Sequence, residues 1–181
     1  MSKEIAAPRL DVRAFAQNAG SLSGWEQLVR FPRIVDACQQ VAPDGMVQWA
    51  ARGEARPGAI GQPELWLHLA ADARVPQVCQ RCLGAMQVHI EVERWFRFVE
   101  DEASAAAQDE TSEEDLLVLD QEFDLHVLIE DELLLEMPYI ARHGTCPIQS
   151  TLSVTNPELI ADPVRPNPFA VLASLKPGKG S

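Results

Sequence analysis

The pattern of hydrophobic and polar positions predicts strands from residue 44 onward. Apolar and polar residues alternate most clearly in "MQVHIEVERWFRFVE", which starts at Met86. Such alternation is typical of strands that are buried on one face. Two earlier segments, "MVQWAARGEA" and "PELWLHLAADARV", are bounded by turn-forming Pro, Asp and Gly residues. The three segments therefore predict an antiparallel β-sheet.

A helix is predicted after the sheet, over residues 124–137 with the sequence "DLHVLIEDELLLEM". Asp124 can cap its N-terminus, and Pro138 ends it. Its apolar residues wrap much of the circumference, so the helix should pack on more than one side. Three acids interrupt this surface and are predicted to face water or a partner protein: Glu130, Asp131 and Glu132. The predicted fold class is α+β, an antiparallel β-sheet domain with a few packing helices, including this acidic helix.

The first part of the chain is less regular. Residues 1–23 are predicted to form an N-terminal segment, and a single α+β domain is predicted over 24–150. At the start of this domain, Trp25, Leu28 and Val29 fit one face of a helix. Pro32 is predicted to interrupt that helix, because proline in a helix interior removes a backbone hydrogen bond.

Two segments lack a regular apolar pattern. Residues 100–115 are acidic and rich in small residues, and they predict a mobile loop. Residues 151–181 are proline-rich and predict a flexible tail. This tail contains an apolar stretch at 166–176, predicted to be a peptide that docks on a partner through Phe169 and Leu172. A disordered end without a partner is the alternative.

Composition and charge narrow the class of protein. The 181 residues are 46% hydrophobic, which is enough for one domain with a core. Neither a membrane helix nor a signal peptide is evident, so a cytoplasmic location without membrane contact is predicted. The net charge is −12, and residues 98–141 hold 15 of the 27 acids with no lysine or arginine. Such a block repels nucleic acid and attracts basic proteins, unless it is only a solvated face.

Cysteine spacing raises the question of a metal. Cys79 and Cys82 form a C-x-x-C, and His143 and Cys146 lie downstream of the predicted helix. Together these four residues would provide the ligands of a structural zinc site. The alternative is a pair of cysteines at a strand turn that binds no metal, since a lone C-x-x-C is insufficient for zinc. Redox chemistry is disfavoured because the motif precedes a strand rather than a helix.

The same sequence offers a surface for RNA but no catalytic arrangement. Phosphate-binding loops and nucleophile motifs are not found, so neither catalysis nor a small-molecule substrate is predicted. Tryptophans and a phenylalanine alternate with arginines over the strand region, a combination that can stack on bases and contact phosphates. The candidate RNA-binding residues are Arg52, Arg56, Arg74, Arg81, Arg94 and Arg97. Ordinary core aromatics and surface arginines are the alternative.

Four stretches resemble the YceD family, the large ribosomal RNA subunit accumulation proteins: "CQRCLGAMQV", "DLHVLIEDELLLEMP", "HGTC" and "RPNPFAVLASLK". The resemblance runs in the same order over most of the chain. It implies a role in synthesis, processing or stability of 23S ribosomal RNA and no known catalytic activity. Some relatives carry further cysteines after the acidic helix, whereas this chain has only Cys146 there.

Two hypotheses for function follow. In the first, the protein is a non-catalytic ribosome biogenesis factor that contacts 23S rRNA or its precursor through the arginines. In the second, it is an acidic protein-interaction module that shields or delivers a basic large-subunit ribosomal protein and affects rRNA indirectly. The two are compatible, since a factor can stabilise rRNA through a protein partner.

Overall fold

The computed structural model describes residues 6–38, 44–58, 61–120, 122–147 and 169. One compact unit ends at Cys146, and a second begins at Pro147. Within the predicted tail over 151–181, only Phe169 is described, and it is 68% exposed. The remainder of the predicted docking peptide, including Leu172, lies outside the described residues.

The described residues form seven strands and four α-helices. In chain order the strands are β1 (Arg9–Leu10), β2 (Ser21–Gln27), β3 (Met46–Pro57), β4 (Pro63–Val78), β5 (Ala85–Val99), β6 (Asp115–Val118) and β7 (Phe123–Asp124). The helices are α1 (Val12–Gln17), α2 (Pro32–Ala37), α3 (Glu102–Gln108) and α4 (Leu125–Glu136), and a short 3-10 helix spans Leu28–Arg30. Strands β2 to β6 form one sheet in chain order, antiparallel except for the parallel pair β5 and β6. The predicted α+β class and the antiparallel sheet are confirmed.

One face of this sheet is buried because side chains alternate along each strand. In β3, Val47, Trp49 and Ala51 point to the core, where they meet Leu67 of β4 and Phe96 of β5. The intervening residues lie on the opposite side, which we call the open face. Its central positions are Gln48, Ala50, Arg52, Trp66, His68, Ala70, Asp72, Glu91, Glu93, Trp95 and Arg97.

The N-terminal residues belong to the same fold as the sheet. Helix α1 is capped by Asp11 and buries Val12 and Ala16 against the core. It crosses β3 at Gly53, where a Cβ would lie 2.8 Å from the Cα of Ala16, so a larger residue would push the helix away. The described part of 1–23 therefore packs on the same core as the domain predicted over 24–150.

The predicted helix at Trp25 is wrong, because Trp25 lies in strand β2. Pro32 does not interrupt a helix but starts α2. This position tolerates proline because the first N–H of a helix has no partner within the helix. Ile34 of α2 is fully buried, and α2 packs against α4.

The acidic helix predicted at 124–137 is confirmed as α4, which packs on the sheet. The carboxylate of Asp124 accepts hydrogen bonds from the backbone N–H groups of His126 and Val127, as predicted for a cap. Leu125, Ile129 and Leu133 are fully buried. Within the described ranges, no helix is long and apolar enough to cross a membrane.

Two acids of α4 are buried, which corrects the prediction that they face water or a partner. Glu130 is 4% exposed and accepts two hydrogen bonds of 2.8 Å from Arg33, one from its backbone N–H and one from its Nε. Glu132 is 6% exposed and lies 3.3 Å from Nε of Arg94. Asp131 is half-buried and also pairs with Arg33. Because α4 packs on two sides, its acids meet arginines of α2 and β5 instead of solvent.

The predicted loop at 100–115 contains helix α3. Its first turn is capped by Asp101, whose carboxylate accepts the N–H of Ser104 at 2.7 Å. Arg97 of β5 holds the segment against the sheet by donating to Gln108 Oε1 at 2.9 Å and to Ser112 Oγ at 3.2 Å. A capped helix of small residues thus replaces the irregular structure expected from composition.

We expect opposite effects from neutralising the two buried acids. Glu130→Gln should lower the free energy of unfolding by about 1–3 kcal/mol, because the uncharged amide can accept only one of the two hydrogen bonds from Arg33. Burial raises the pKa of Glu132, although Arg94 lowers it, and the balance is a raised pKa. Its ionised form is therefore disfavoured in the folded state, so its contribution to stability is present at low pH and lost as pH rises. Glu132→Gln should be at least as stable as wild type at neutral pH.

Urea unfolding at about pH 7 and about pH 4 checks this, since the lower pH lies just below the ordinary Glu pKa of about 4.3. The advantage of Glu132→Gln over wild type should shrink as pH falls. Equal losses of stability in both variants at both pH values would contradict the account.

Candidate functional site

The C-x-x-C lies in the tight turn between β4 and β5. The N–H of Cys79 donates to the carbonyl of Gly84 at 2.9 Å, and the N–H of Leu83 donates to the carbonyl of Cys79 at 2.8 Å. Leu83 adopts a left-handed backbone with φ of 58°. This conformation costs a non-glycine residue free energy, so the turn is held in place by its surroundings.

The segment after α4 runs alongside this turn. Gln80 donates its N–H to the carbonyl of Ala141 at 2.8 Å, and Ala141 is buried. The N–H of His143 points at Sγ of Cys79 at 3.4 Å. These contacts bring the second pair of predicted ligands to the first pair across more than 60 residues of chain.

The four predicted metal ligands form one group, which we call the cysteine cluster: Cys79, Cys82, His143 and Cys146. Their sulfur atoms and ring nitrogen all lie within 4.8 Å of one another. The Sγ atoms of Cys79 and Cys146 are 3.7 Å apart, and Sγ of Cys82 is 3.4 Å from Nδ1 of His143. Zn–S bonds of about 2.3 Å in a tetrahedron place sulfur atoms about 3.8 Å apart. The cluster therefore has the donor set and the spacing that structural zinc takes.

The electrostatics of the cluster favour the thiolate of Cys79 and disfavour that of Cys82. Burial raises the pKa of Cys79, but hydrogen bonds from the N–H groups of His143, Cys82 and Arg81 outweigh it and lower the pKa to about 5. For Cys82, the N–H of Gly84 lowers the pKa, while burial and the neighbouring thiols of Cys146 and Cys79 raise it above the ordinary value. Arg81 faces the cluster, since its Nε donates to Sγ of Cys146 at 3.0 Å.

Three of the six candidate RNA-binding arginines gather at one end of the open face. The guanidinium of Arg56 stacks on two tryptophans, 4.2 Å from the ring centre of Trp66 and 4.4 Å from that of Trp95. Arg52 lies 5.6 Å above the same Trp95 ring. Arg97 is the cross-strand neighbour of Trp66. With His68, whose ring centre is 4.7 Å from that of Trp95, these residues form the arginine–tryptophan cluster.

The other three arginines lie elsewhere. Arg94 is on the opposite side of β5, paired with Glu132, Asp115 and Glu136. Arg81 belongs to the turn of the cysteine cluster. Arg74 is exposed on the open face beyond Asp72, far along β4 from the tryptophans. The sequence provides the arginines and aromatic residues, but only strand register shows which of these arginines share one face of the sheet.

Sequence reasoning also missed the acid within this cluster. Glu54 lies beside Arg56 and Arg52, at 3.2 Å and 3.5 Å. Its pKa is lowered, chiefly by the hydrogen bond from Arg56. The signal was present as the alternating spacing of Arg52, Glu54 and Arg56, which places all three side chains on one face of a strand.

A comparison with known protein families assigns the chain to one of them. The model of the YceD family, described as large ribosomal RNA subunit accumulation protein YceD, matches residues 67–176. The chain belongs to the YceD family. No solved structure matches it.

The part of the chain that the YceD family model matches includes most of β4, all of β5 and α4, and all four residues of the cysteine cluster. The family is named for accumulation of large-subunit ribosomal RNA, which places the chain in ribosome biogenesis.

Replacing Leu83 tests the strain in the turn of the cysteine cluster. Leu83 is 76% exposed, so its side chain contributes little burial. Leu83→Gly should raise the free energy of unfolding by up to about 1 kcal/mol, because glycine adopts positive φ without the steric cost. Leu83→Ala removes the same side chain but keeps Cβ and serves as the matched control. Chemical denaturation that ranks the alanine variant above the glycine variant would contradict a strained turn.

Proposed function

We propose that the protein is a non-catalytic factor in the synthesis, processing or stability of 23S rRNA, and that it contacts this RNA or its precursor directly. The arginine–tryptophan cluster carries the proposal. Guanidinium groups and an indole lie together at one end of a sheet face, and such surfaces bind RNA by phosphate contacts and base stacking. Membership of the YceD family supports a role in the accumulation of large-subunit rRNA, and the arginine–tryptophan cluster supports direct contact with that RNA.

The charges of this cluster are only partly compensated. Glu54 offsets Arg52 and Arg56. Arg97, by contrast, donates to the neutral side chains of Gln108 and Ser112, so its positive charge is positioned but not neutralised. Trp66 is 5% exposed and serves as the base of the stack, whereas Trp95 is half-buried and offers ring surface. A phosphate near Arg97 with a base beside Trp95 fits this arrangement.

A specific observation favours a second candidate, binding of a basic large-subunit ribosomal protein. Residues 101–120 contain eight exposed acids and no lysine or arginine. These acids surround α3, unlike Glu130 and Glu132, whose charges are used inside the fold. An exposed field of one sign attracts a basic partner and guides its association. The interaction residues of this second function are therefore those around α3 rather than those of α4.

Salt-dependent binding of the full chain to a 23S rRNA transcript tests the first function. The triple variant Arg52→Gln, Arg56→Gln, Arg97→Gln should bind more weakly. The slope of log affinity against log salt should fall by about 2, at about 0.7 for each lost phosphate contact. Arg13→Gln is the matched control, because Arg13 is an exposed, ion-paired arginine on α1. An unchanged slope in both the triple variant and in Arg97→Gln alone would exclude this RNA surface.

Affinity capture of tagged protein, repeated after nuclease treatment, separates the two functions. If RNA is the anchor, nuclease should remove 23S rRNA and ribosomal proteins together. If a basic ribosomal protein is the direct partner, it should remain after nuclease and be lost when Glu110, Glu113 and Glu114 are changed to Gln. Recovery of neither would contradict both functions.

We also propose that the cysteine cluster binds one structural zinc ion. Its low-pKa thiol, paired sulfur atoms and imidazole support this assignment. A zinc ion there would join the turn between β4 and β5 to the segment after α4 and so fix one end of the sheet. It would serve folding rather than chemistry at the RNA.

Metal analysis of protein purified without chelators checks this proposal. About one zinc per chain is expected in wild type and in Cys38→Ser, and much less in Cys82→Ser. Cys38 is the matched control because it is outside the cluster, beside Gln77. Equal zinc content in the two variants, or none in wild type, would contradict a site at the cluster.

A further inference from the structure

A second group of metal-ligating side chains lies on the open face, away from the cysteine cluster. It consists of Asp72 on β4 and of His89 and Glu91 on β5. Their nearest carboxylate oxygens and ring nitrogen all lie within 4.8 Å of one another. Nε2 of His89 contacts Oδ2 of Asp72 and lies 3.7 Å from Oε1 of Glu91. The group was not recognised from sequence, because it depends on the register between two strands.

The sheet fixes the positions of these three residues. Asp72 and Glu91 are directly opposite each other in the β4–β5 pairing, and His89 is two residues from Glu91 on the same face. Two carboxylates in a direct cross-strand pair repel each other and destabilise a sheet. A cation between them converts that repulsion into attraction. The imidazole of His89 stands at this point as a third ligand.

Among the described residues, neither lysine nor arginine forms an ion pair with these carboxylates. In the part of the chain that the structure describes, Asp72 and Glu91 form ion pairs with His89 alone. Arg74 is opposite His89 across the strands, yet it makes no ion pair with either carboxylate among the described contacts. A shallow cavity of about 950 Å³ borders the group, and Glu93 also lines it.

We propose that Asp72, His89 and Glu91 bind a divalent transition-metal ion. One imidazole and two carboxylates suit borderline and hard ions such as Mn²⁺, Co²⁺ and Zn²⁺. The side chains of Asp72 and His89 are 47% and 46% exposed, so water from the cavity completes the coordination. This centre is open to exchangeable ligands, in contrast to the thiolate site of the cysteine cluster.

The chemistry of the ligands separates the two centres in an experiment. Mn²⁺ prefers oxygen and nitrogen ligands, whereas the cysteine cluster is dominated by thiolates, for which zinc is the suited ion. Mn²⁺ alone is therefore the probe. Free Mn²⁺ is followed by electron paramagnetic resonance during titration of the full chain as purified. One saturable Mn²⁺ site per chain is expected.

Three variants decide whether the named residues form that site. Asp72→Asn and His89→Ala each remove a ligand and should weaken Mn²⁺ binding by at least about 10- to 100-fold, the loss seen when even outer-shell partners of a metal are removed. Glu93→Gln is the matched control, since it removes one charge from the same cavity without removing a ligand. It should retain the site with nearly unchanged affinity.

Other results overturn the proposal. They are an absence of saturable Mn²⁺ binding in wild type, equal weakening in Glu93→Gln and Asp72→Asn, or unchanged binding in both ligand variants. Circular dichroism confirms folding of each variant, and Asp72→Asn gives the answer if His89→Ala does not fold. Paramagnetic broadening of the His89 ring signals in wild type gives a second, independent readout. The experiment contains no RNA, so its failure is distinct from failure of the proposed function.

Discussion

The pairing of β4 with β5 is the constraint on which the rest of the structure depends. It runs from Leu65 opposite Phe98 to Val78 opposite Ala85, the longest register in the sheet. Because side chains alternate along strands, this register decides which residues reach the core and which share the open face. It ends in the turn that carries Cys79 and Cys82. A slip of one residue would separate the arginine–tryptophan cluster and turn one of the two carboxylates, Asp72 or Glu91, toward the core.

Helix α4 packs on the core side of the β4–β5 hairpin, and two of its charged side chains are buried there. Glu130 and Glu132 are buried, but Arg33 and Arg94 reach them from α2 and β5. A further acid, Glu26 of β2, is 1% exposed and lies 3.3 Å from Nδ1 of His126 on α4. Burying such charges is costly unless each has a partner, so these pairs specify how α4 and its neighbours fit together. Part of the acidic block is thus a structural element rather than a surface.

Much of the fold was predictable from sequence, since local patterns determine its longest strands and helix α4. Alternation predicted β3, β4 and β5, and the cap and proline predicted α4. The grouping of Cys79, Cys82, His143 and Cys146 followed from ligand types and is seen in the structure. Strand β2 was missed because Trp25 fits a helical face equally well. Helix α3 was missed because its alanines give no apolar periodicity.

What could not be predicted depends on contacts between distant residues. Composition cannot show that Arg33 neutralises Glu130, which is 97 residues away. Nor can it show that Arg94 pairs with Glu132 of α4 while Arg97 lies on the open face. On β5, the even-numbered Arg94 lies on the side of the sheet that α4 covers, whereas the odd-numbered Arg97 lies on the open face. The same geometry places positive charge with Trp95 at one end of the open face and carboxylates with His89 at the other.

In the proposed contact with RNA, this separation of charge affects how the RNA lies on the protein. Phosphates are attracted to Arg97 and repelled by Asp72, Glu91 and Glu93. An RNA strand that crosses the open face should therefore stay near the tryptophans. A divalent ion on Asp72, His89 and Glu91 would reduce that repulsion and extend the favourable surface along β5. The two ends of the open face would then act on the same ligand, one through fixed guanidinium groups and the other only when a metal is bound.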